Sequence, residues 1–117
     1  MRRSLATVAV LVSTLATMTA CGEDENAACS ETKTIAVTFE GGEVTPNADR
    51  VKVCVDQAVD LEVTADEPGE IHVHSNPEGE FAYEAGETTI KLAIDRPGVV
   101  EVESHELDVV IIQLEVG

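Results

Sequence analysis

Short runs of alternating apolar and polar residues, separated by turn-forming residues, recur through most of the chain. Thr34–Phe39 is the first, and Val51–Val55 and Val59–Val63 follow with a clean period of two. This period places one face of a strand against the core and the other in water. The breaks between the runs hold glycine, proline and asparagine, which favour turns. The first half of the chain therefore predicts three strands.

Five further strands are predicted downstream. They are Ile71–His74, a short strand marked by Phe81 and Tyr83, Thr89–Ile94, and two strands within Pro97–Val116. In the last stretch a Pro-Gly turn precedes an alternating run, and a tight polar connection leads into a strongly apolar strand. Eight short strands between Gly and Pro turns are typical of an antiparallel sandwich or small barrel. We therefore predict an all-β domain over residues 32–117.

The first 20 residues have the composition of a secretory signal peptide. Two arginines precede a charge-free, apolar stretch from Leu5 to Met18, which is short for a helix that crosses a bilayer. Met18-Thr19-Ala20-Cys21 resembles the lipobox of bacterial lipoproteins, which implies cleavage before Cys21 and a lipid on its thiol. An uncleaved helix that anchors the chain is the alternative. We expect an extracytoplasmic protein, lipid-anchored to the bacterial cell membrane, with a flexible tether over residues 21–31.

The acidic composition limits the possible partners. The chain has 7 Lys and Arg residues against 23 Asp and Glu residues, and its formal net charge is −16. Loss of the two positive charges of Arg2 and Arg3 with the signal peptide changes −16 to −18. Such a surface repels the phosphates of nucleic acids and anionic lipid headgroups. We expect no nucleic-acid partner, a membrane contact through the lipid on Cys21, and a protein partner that the sequence does not identify.

Two cysteines remain if Cys21 carries a lipid. An exported chain meets an oxidising compartment, so Cys29 and Cys54 are expected to form a disulfide. Two free, buried cysteines are the alternative. A metal-binding role for Cys54 is disfavoured, because no Cys or His lies within ligand spacing of it. The disulfide would matter for stability, since a domain of this size has a small core.

Several motifs, in their order along the chain, resemble those of the cupredoxin-like domain. The stretch 42–46 (Gly-Glu-Val-Thr-Pro) is similar to the opening Gly-x-Val-x-Pro of that fold, and Val51–Leu61 is similar to its second hairpin, with Asp56 where glycine is usual. Glu70–His74 lies where the first copper-ligand histidine is expected, and Pro97–Glu103 resembles the strand that leads to the cysteine ligand. The resemblance implies a Greek-key β-sandwich of about eight antiparallel strands.

The copper site that the resemblance implies is degenerate in this sequence. A blue-copper centre uses a histidine, a cysteine, a second histidine and usually a weak axial methionine. Ser104 occupies the cysteine position, and no methionine follows it. The connection from His105 to the final strand is also too short for the usual ligand loop. The resemblance therefore implies the fold, and His72 as a ligand, without a blue-copper electron carrier.

The three histidines of the chain all lie in two of these motifs. His72 and His74 are two residues apart on a strand, so they share a face. If their strand neighbours the strand that ends at His105, three imidazoles meet the carboxylates of Glu101 and Glu103. Such ligands suit Cu(II) or Zn(II). In the alternative, the histidines only decorate the outer surface, and their apolar neighbours face the core.

The sequence offers no catalytic constellation. Ser104 and His105 are adjacent on a strand and point to opposite faces, and the chain has neither a nucleophile elbow nor a phosphate loop. We therefore expect no enzymatic activity. The leading hypothesis is a module that binds Cu(II) or Zn(II) through His72, His74 and His105. The alternative is a metal-free interaction or structural module at the cell surface, which splayed rather than converging imidazoles would favour.

Overall fold

A computed structural model describes residues 25–117, which form a β-sandwich of two sheets. The signal peptide predicted for residues 1–20 and the lipid site at Cys21 lie outside these residues. The elements are α1 (Glu25–Ser30), β1 (Lys33–Glu40), β2 (Glu43–Thr45), β3 (Asp49–Val53), β4 (Val59–Ala65), β5 (Gly69–Val73), β6 (Gly79–Tyr83), β7 (Gly86–Leu92), β8 (Gly98–Ser104) and β9 (Val109–Val116). Within the described range, no helix combines the length and the apolar character that crossing a membrane requires.

The nine strands form one sheet of four and one of five. The strand order is β2-β1-β4-β7 in the first sheet and β3-β9-β8-β5-β6 in the second. The all-β sandwich is confirmed, but the prediction that all strands pair antiparallel is wrong. β1 pairs with β4 in parallel, and so does β3 with β9. Parallel neighbours need a long crossover connection rather than a short hairpin. Between β1 and β4, the chain crosses to the other sheet to form β3 and then returns.

The ninth strand, β2, is the one that the sequence pattern did not predict. Its three residues, Glu43–Thr45, follow a glycine pair in a stretch that predicted only a turn. Gly41 and Gly42 have φ angles of 61° and 77°, which glycine reaches without the strain of a Cβ atom. The turn reverses the chain, so that Val44 lies opposite Phe39 of β1. Three residues are too few to show an alternating pattern.

The core lies between the two sheets and consists of alternate residues of the strands. Val59, Leu61 and Val63 of β4 point into it, as do Val100 and Val102 of β8. Their neighbours in sequence face outward, which is the arrangement that a period of two predicts. Full burial of such a side chain stabilises the fold by about 1.5–3 kcal/mol. This packing leaves the outer faces of both sheets free for polar groups.

A β-bulge explains the unbroken apolar run Val109–Ile112. The pairing of β8 with β9 shifts between Val102 and Glu103, so that Ile111 has no partner in β8. A bulge adds one residue to one strand and so interrupts the alternation of side chains. Both Ile111 and Ile112 are fully buried as a result. The irregularity lies next to Glu103, near the end of β8.

Helix α1 is fixed to the sandwich by a covalent bond. Cys29 in α1 is joined to Cys54, just after β3, with 5.5 Å between the Cα atoms. The structure therefore contains the disulfide that the sequence predicted. Glu25–Ser30, within the segment 21–31 that is predicted as a flexible tether, form α1, and the disulfide joins this helix to the sandwich. The earlier part of that segment lies outside the described residues.

Candidate metal site

Two neighbouring strands of the five-stranded sheet carry the candidate site. β5 pairs antiparallel with β8, and His72 lies opposite Glu103. The N–H of His74, just beyond β5, donates to the carbonyl of Glu101 at 2.8 Å and so extends this pairing. His105 directly follows the last residue of β8. The register therefore brings all three histidines to one place, as the sequence analysis predicted.

The histidines lie on the outer face of the sheet. Ile71 and Val73 are buried in the core, and His72 and His74 alternate with them. Side-chain exposure rises from 11% for His72 to 36% for His74 and 61% for His105. The alternative prediction was thus right about the face. On this face the three rings converge rather than point apart.

The convergence of the three imidazoles is close enough for a shared ion. His72 Nδ1 lies 3.1 Å from His105 Nε2, and the rings of His72 and His74 stack with centroids 4.4 Å apart. One nitrogen from each of the three rings can be chosen so that all lie within 4.8 Å of one another. Since a metal–nitrogen bond is about 2.0–2.1 Å long, two nitrogens on one ion lie at most about 4.2 Å apart. Small side-chain rotations would therefore complete a common coordination sphere.

Glu103 adds a carboxylate to this cluster. Its Oε2 accepts a hydrogen bond from His74 Nε2 at 2.8 Å and lies 3.4 Å from His105 Nε2. Glu101, the other carboxylate that the sequence analysis considered, accepts a hydrogen bond from Gln113 Nε2 at 3.1 Å. The carboxylate that directly contacts the imidazoles from β8 is therefore that of Glu103.

Glu78 is a second carboxylate at the site, and the sequence analysis did not single it out. It lies in the turn between β5 and β6. Its Oε2 is 3.3 Å from His72 Nε2, and its Oε1 is 3.5 Å from His74 Nδ1. The only signal in the sequence was a spacing of four residues from His74. In a chain with 23 acidic residues, such a spacing carries no weight.

The two carboxylates favour a charged His74. The hydrogen bond with Glu103 is the main cause of a raised pKa for His74; desolvation opposes it, and the negative charges of Glu103 and Glu78 add to it. The same hydrogen bond lowers the pKa of Glu103. The ion pair therefore stabilises the fold between these two pKa values. Its contribution is lost as pH rises through the pKa of His74 or falls through that of Glu103.

One buried ring nitrogen at the site lacks a hydrogen-bond partner in the described part of the chain. His72 Nε2 is buried and has no hydrogen-bond partner among the described residues, because the Glu78 oxygen at 3.3 Å is within ion-pair distance but poorly aligned. A buried polar atom without a partner costs about 1–3 kcal/mol and is rare in native structures. A cation bound to Nδ1 of this ring would make the Nε2–H group a stronger donor and bring Glu78 into alignment with it. The imidazole and carboxylate groups around the ring are ligands that Cu(II) accepts.

The described residues at this site do not fit the thiolate centre of blue-copper proteins. Ser104 is 1% exposed and faces the core, whereas His105 is exposed on the other side of the strand. The Ser104 hydroxyl accepts a hydrogen bond from the N–H of Leu107 at 3.3 Å, which closes the turn after β8. The two cysteines among the described residues are bonded to each other. The described part of the chain thus offers nitrogen and oxygen ligands at this site, and no thiolate.

Comparison with known proteins identifies the fold through structure alone. No family model and no curated protein matches the chain. The structure is similar to a purple cupredoxin from Nitrosopumilus maritimus, with 13% identity and a TM-score of 0.52 over 73% of this chain and 99% of that one. It is also similar to a laccase and a multi-copper oxidase from Pediococcus acidilactici, with 18% and 19% identity and TM-scores of 0.51 and 0.50. These matches cover 95% of this chain but only 31% and 30% of the other two. The chain therefore contains a domain with the cupredoxin-like fold.

Proposed function

We propose that this protein binds copper through His72, His74 and His105, with Glu103 as an additional oxygen ligand. The observation that carries the proposal is the convergence of three imidazole nitrogens within 4.8 Å. Nitrogen and oxygen ligands without a thiolate suit Cu(II). The names of the similar structures, a purple cupredoxin and a multi-copper oxidase, support copper. Zn(II), the other ion that such ligands accept, has no comparable support.

The proposed role is to bind and exchange copper rather than to carry electrons. A blue-copper carrier depends on a copper–thiolate bond, and Ser104 supplies no sulfur. The ligand His105 is 61% exposed, so one side of the site faces solvent. An open side allows an ion to enter and leave without unfolding of the domain. Uptake, storage or transfer of copper therefore agrees with this geometry.

Titration of the purified protein with Cu(II), followed by calorimetry and absorption spectroscopy, tests the proposal. We expect stoichiometric binding and a weak, pale imidazole-type spectrum. Ser104→Cys is the matched variant: its thiol faces the core, so the spectrum should stay pale. An intense thiolate band from either protein would contradict the ligand assignment. If neither Cu(II) nor Zn(II) binds, the metal-free interaction module becomes the better account.

We further propose that the protein is exported and held at the membrane by a lipid on Cys21. The lipobox-like sequence before Cys21 supports this location. The disulfide between Cys29 and Cys54 agrees with it, because such bonds persist mainly in oxidising compartments outside the cytosol. The anchor would keep the copper site outside the cell but close to the membrane.

Cys21→Ala should leave the precursor unprocessed by the lipoprotein pathway and without a lipid. The thiol is the attachment point, and alanine offers no group for it. Mass spectrometry of the protein from the membrane fraction measures the difference. Cys29→Ala is the matched control, since it removes a cysteine but leaves the lipobox-like sequence intact and should still be lipidated. A diacylglyceryl group on the Cys21→Ala protein would show that the proposed anchor is wrong.

A further inference from the structure

The carboxylate in the turn between β5 and β6 contacts the far edges of two candidate ligand rings. Glu78 Oε2 approaches His72 Nε2 at 3.3 Å, and Glu78 Oε1 approaches His74 Nδ1 at 3.5 Å. The other nitrogens of these rings point into the cluster: His72 Nδ1 meets His105 Nε2, and His74 Nε2 meets Glu103. Each ring therefore has one nitrogen toward the cluster and one toward Glu78.

We propose that Glu78 is a positioning residue of the metal site, an inference that rests on the proposed function. A metal-binding imidazole usually donates its other ring N–H to a carboxylate or carbonyl, which fixes its tautomer and orientation and makes the ligand nitrogen more basic. Glu78 is placed to do this for two rings, with one oxygen near each, once a bound ion brings the contact with His72 Nε2 into alignment. When the ion binds, His74 Nε2 must lose the proton that it donates to Glu103. With the remaining N–H groups on His72 Nε2 and His74 Nδ1, the opposite nitrogens present their lone pairs to the ion.

The stacking of the two rings explains how one carboxylate serves both. The planes of His72 and His74 are 12° from parallel and their centroids are 4.4 Å apart. The two oxygens of a carboxylate can therefore each reach one ring of the stack. The turn that carries Glu78 is braced by a hydrogen bond from Ser75 Oγ to the carbonyl of Pro77 at 2.7 Å. This bond restricts the turn and keeps the carboxylate beside the rings.

The contacts separate the role of Glu78 from that of Glu103. Glu103 Oε2 lies between the cluster-facing nitrogens of His74 and His105, at 2.8 Å and 3.4 Å, where a metal ligand is expected. Glu78 lies on the other side of the stacked pair, and its side chain is 62% exposed. Substitution of Glu78 therefore removes no core packing. Its effect on the site can be measured without loss of the fold.

Three variants of the full protein, compared with wild type, test this inference. Glu78→Leu removes the acceptor, and Glu78→Gln keeps an acceptor oxygen but removes the charge. Glu80→Leu is the matched control, because Glu80 lies opposite His72 in β6 and is exposed, and among the described residues it makes no hydrogen bond or ion pair with a histidine. We expect Glu78→Leu to weaken Cu(II) binding by about 10–100-fold, the usual effect of losing such a partner. Glu78→Gln should lose less, and Glu80→Leu should bind nearly as wild type does.

The tautomer of His72 gives a second measurement, and it would not change on substitution if Glu78 had only a structural role. Nitrogen-15 NMR of the metal-free protein, at a pH where the imidazoles are neutral, should show the Nε2–H form of His72 in wild type and in Glu78→Gln. In Glu78→Leu, the population of the Nδ1–H form should rise. Equal Cu(II) binding by Glu78→Leu and Glu80→Leu, or an unchanged tautomer in Glu78→Leu, would overturn the positioning role alone. A wild-type protein that binds no Cu(II) would overturn the proposed function and this role with it.

Discussion

His72→Ala should abolish stoichiometric Cu(II) binding. His72 is the central ring of the site: its Nδ1 is 3.1 Å from His105 Nε2, and it stacks on His74. It is also the least exposed of the three, so its loss removes the ligand that is best shielded from water. We expect an affinity loss larger than the roughly 10–100-fold effect of removing an outer partner of a metal ligand. Calorimetry in the presence of a competing chelator would measure it.

The other two histidines give a graded comparison. His74→Ala should also bind Cu(II) much more weakly, whereas His105→Ala should lose less, because His105 is 61% exposed and the ion could replace it with water. His72 lies on the outer face but its side chain is only 11% exposed, so the denaturation midpoint of His72→Ala is measured together with its Cu(II) affinity to show that the variant is folded. A folded His72→Ala protein that binds Cu(II) as tightly as wild type would show that the ligand set is wrong.

Local pattern was sufficient to predict most of the strands but not their pairing. The period of two in Val59–Val63 and in the strand after Pro97 reflects one buried face, so each strand is visible in its own residues. The parallel pairs β1–β4 and β3–β9 join segments far apart in sequence. The residues within these strands do not indicate which other strand each one will pair with. Antiparallel pairing was therefore assumed for all strands, and the assumption was wrong for these two pairs.

One departure from the resemblance turned out to have a clear conformational meaning. Asp56 stands where glycine is usual in the second hairpin of the cupredoxin-like domains that the sequence resembles. The structure gives it a φ of 60°, in the left-handed region that glycine reaches freely. Aspartate is one of the few other residues that occasionally adopt this conformation, because its short polar side chain can form local hydrogen bonds. Aspartate at this position therefore preserves the turn, and the motif can still be recognised in the sequence.

The candidate site was predictable as far as it depends on spacing along a strand. His72 and His74 share a face because they are two residues apart, and the resemblance supplied the neighbouring strand that ends at His105. Glu78 could not be found in this way, because its place beside the rings depends on the path of a turn. The sequence placed Ser104 at the expected position of a cysteine ligand only through the resemblance, and gave no sign that its hydroxyl closes a turn by accepting the N–H of Leu107.

Replacement of both Cys29 and Cys54 by alanine should lower the free energy of unfolding by about 3 kcal/mol. The disulfide closes a loop between residues 25 positions apart, which restricts the unfolded chain. It also holds α1 against the buried side chain of Gln57, which donates to the carbonyls of Ala28 and Glu31 at 2.9 Å each. Denaturant unfolding of the two purified proteins would measure the difference. Reduction of the wild type should reproduce the loss, and the double variant should not respond to reductant.

The same variant separates stability from copper binding. Cys54 lies beyond the end of β3, where Val53 pairs with Val116, and Val116 in turn pairs with Gly98 at the start of β8. The histidines lie at the other end of β8, so the disulfide and the site are a strand length apart. The folded double variant should therefore bind Cu(II) as tightly as wild type. Equal unfolding midpoints would contradict the stabilising role of the disulfide. A large loss of Cu(II) affinity in the folded variant would place a cysteine at the metal site, and the assignment of an imidazole and carboxylate ligand set would fail.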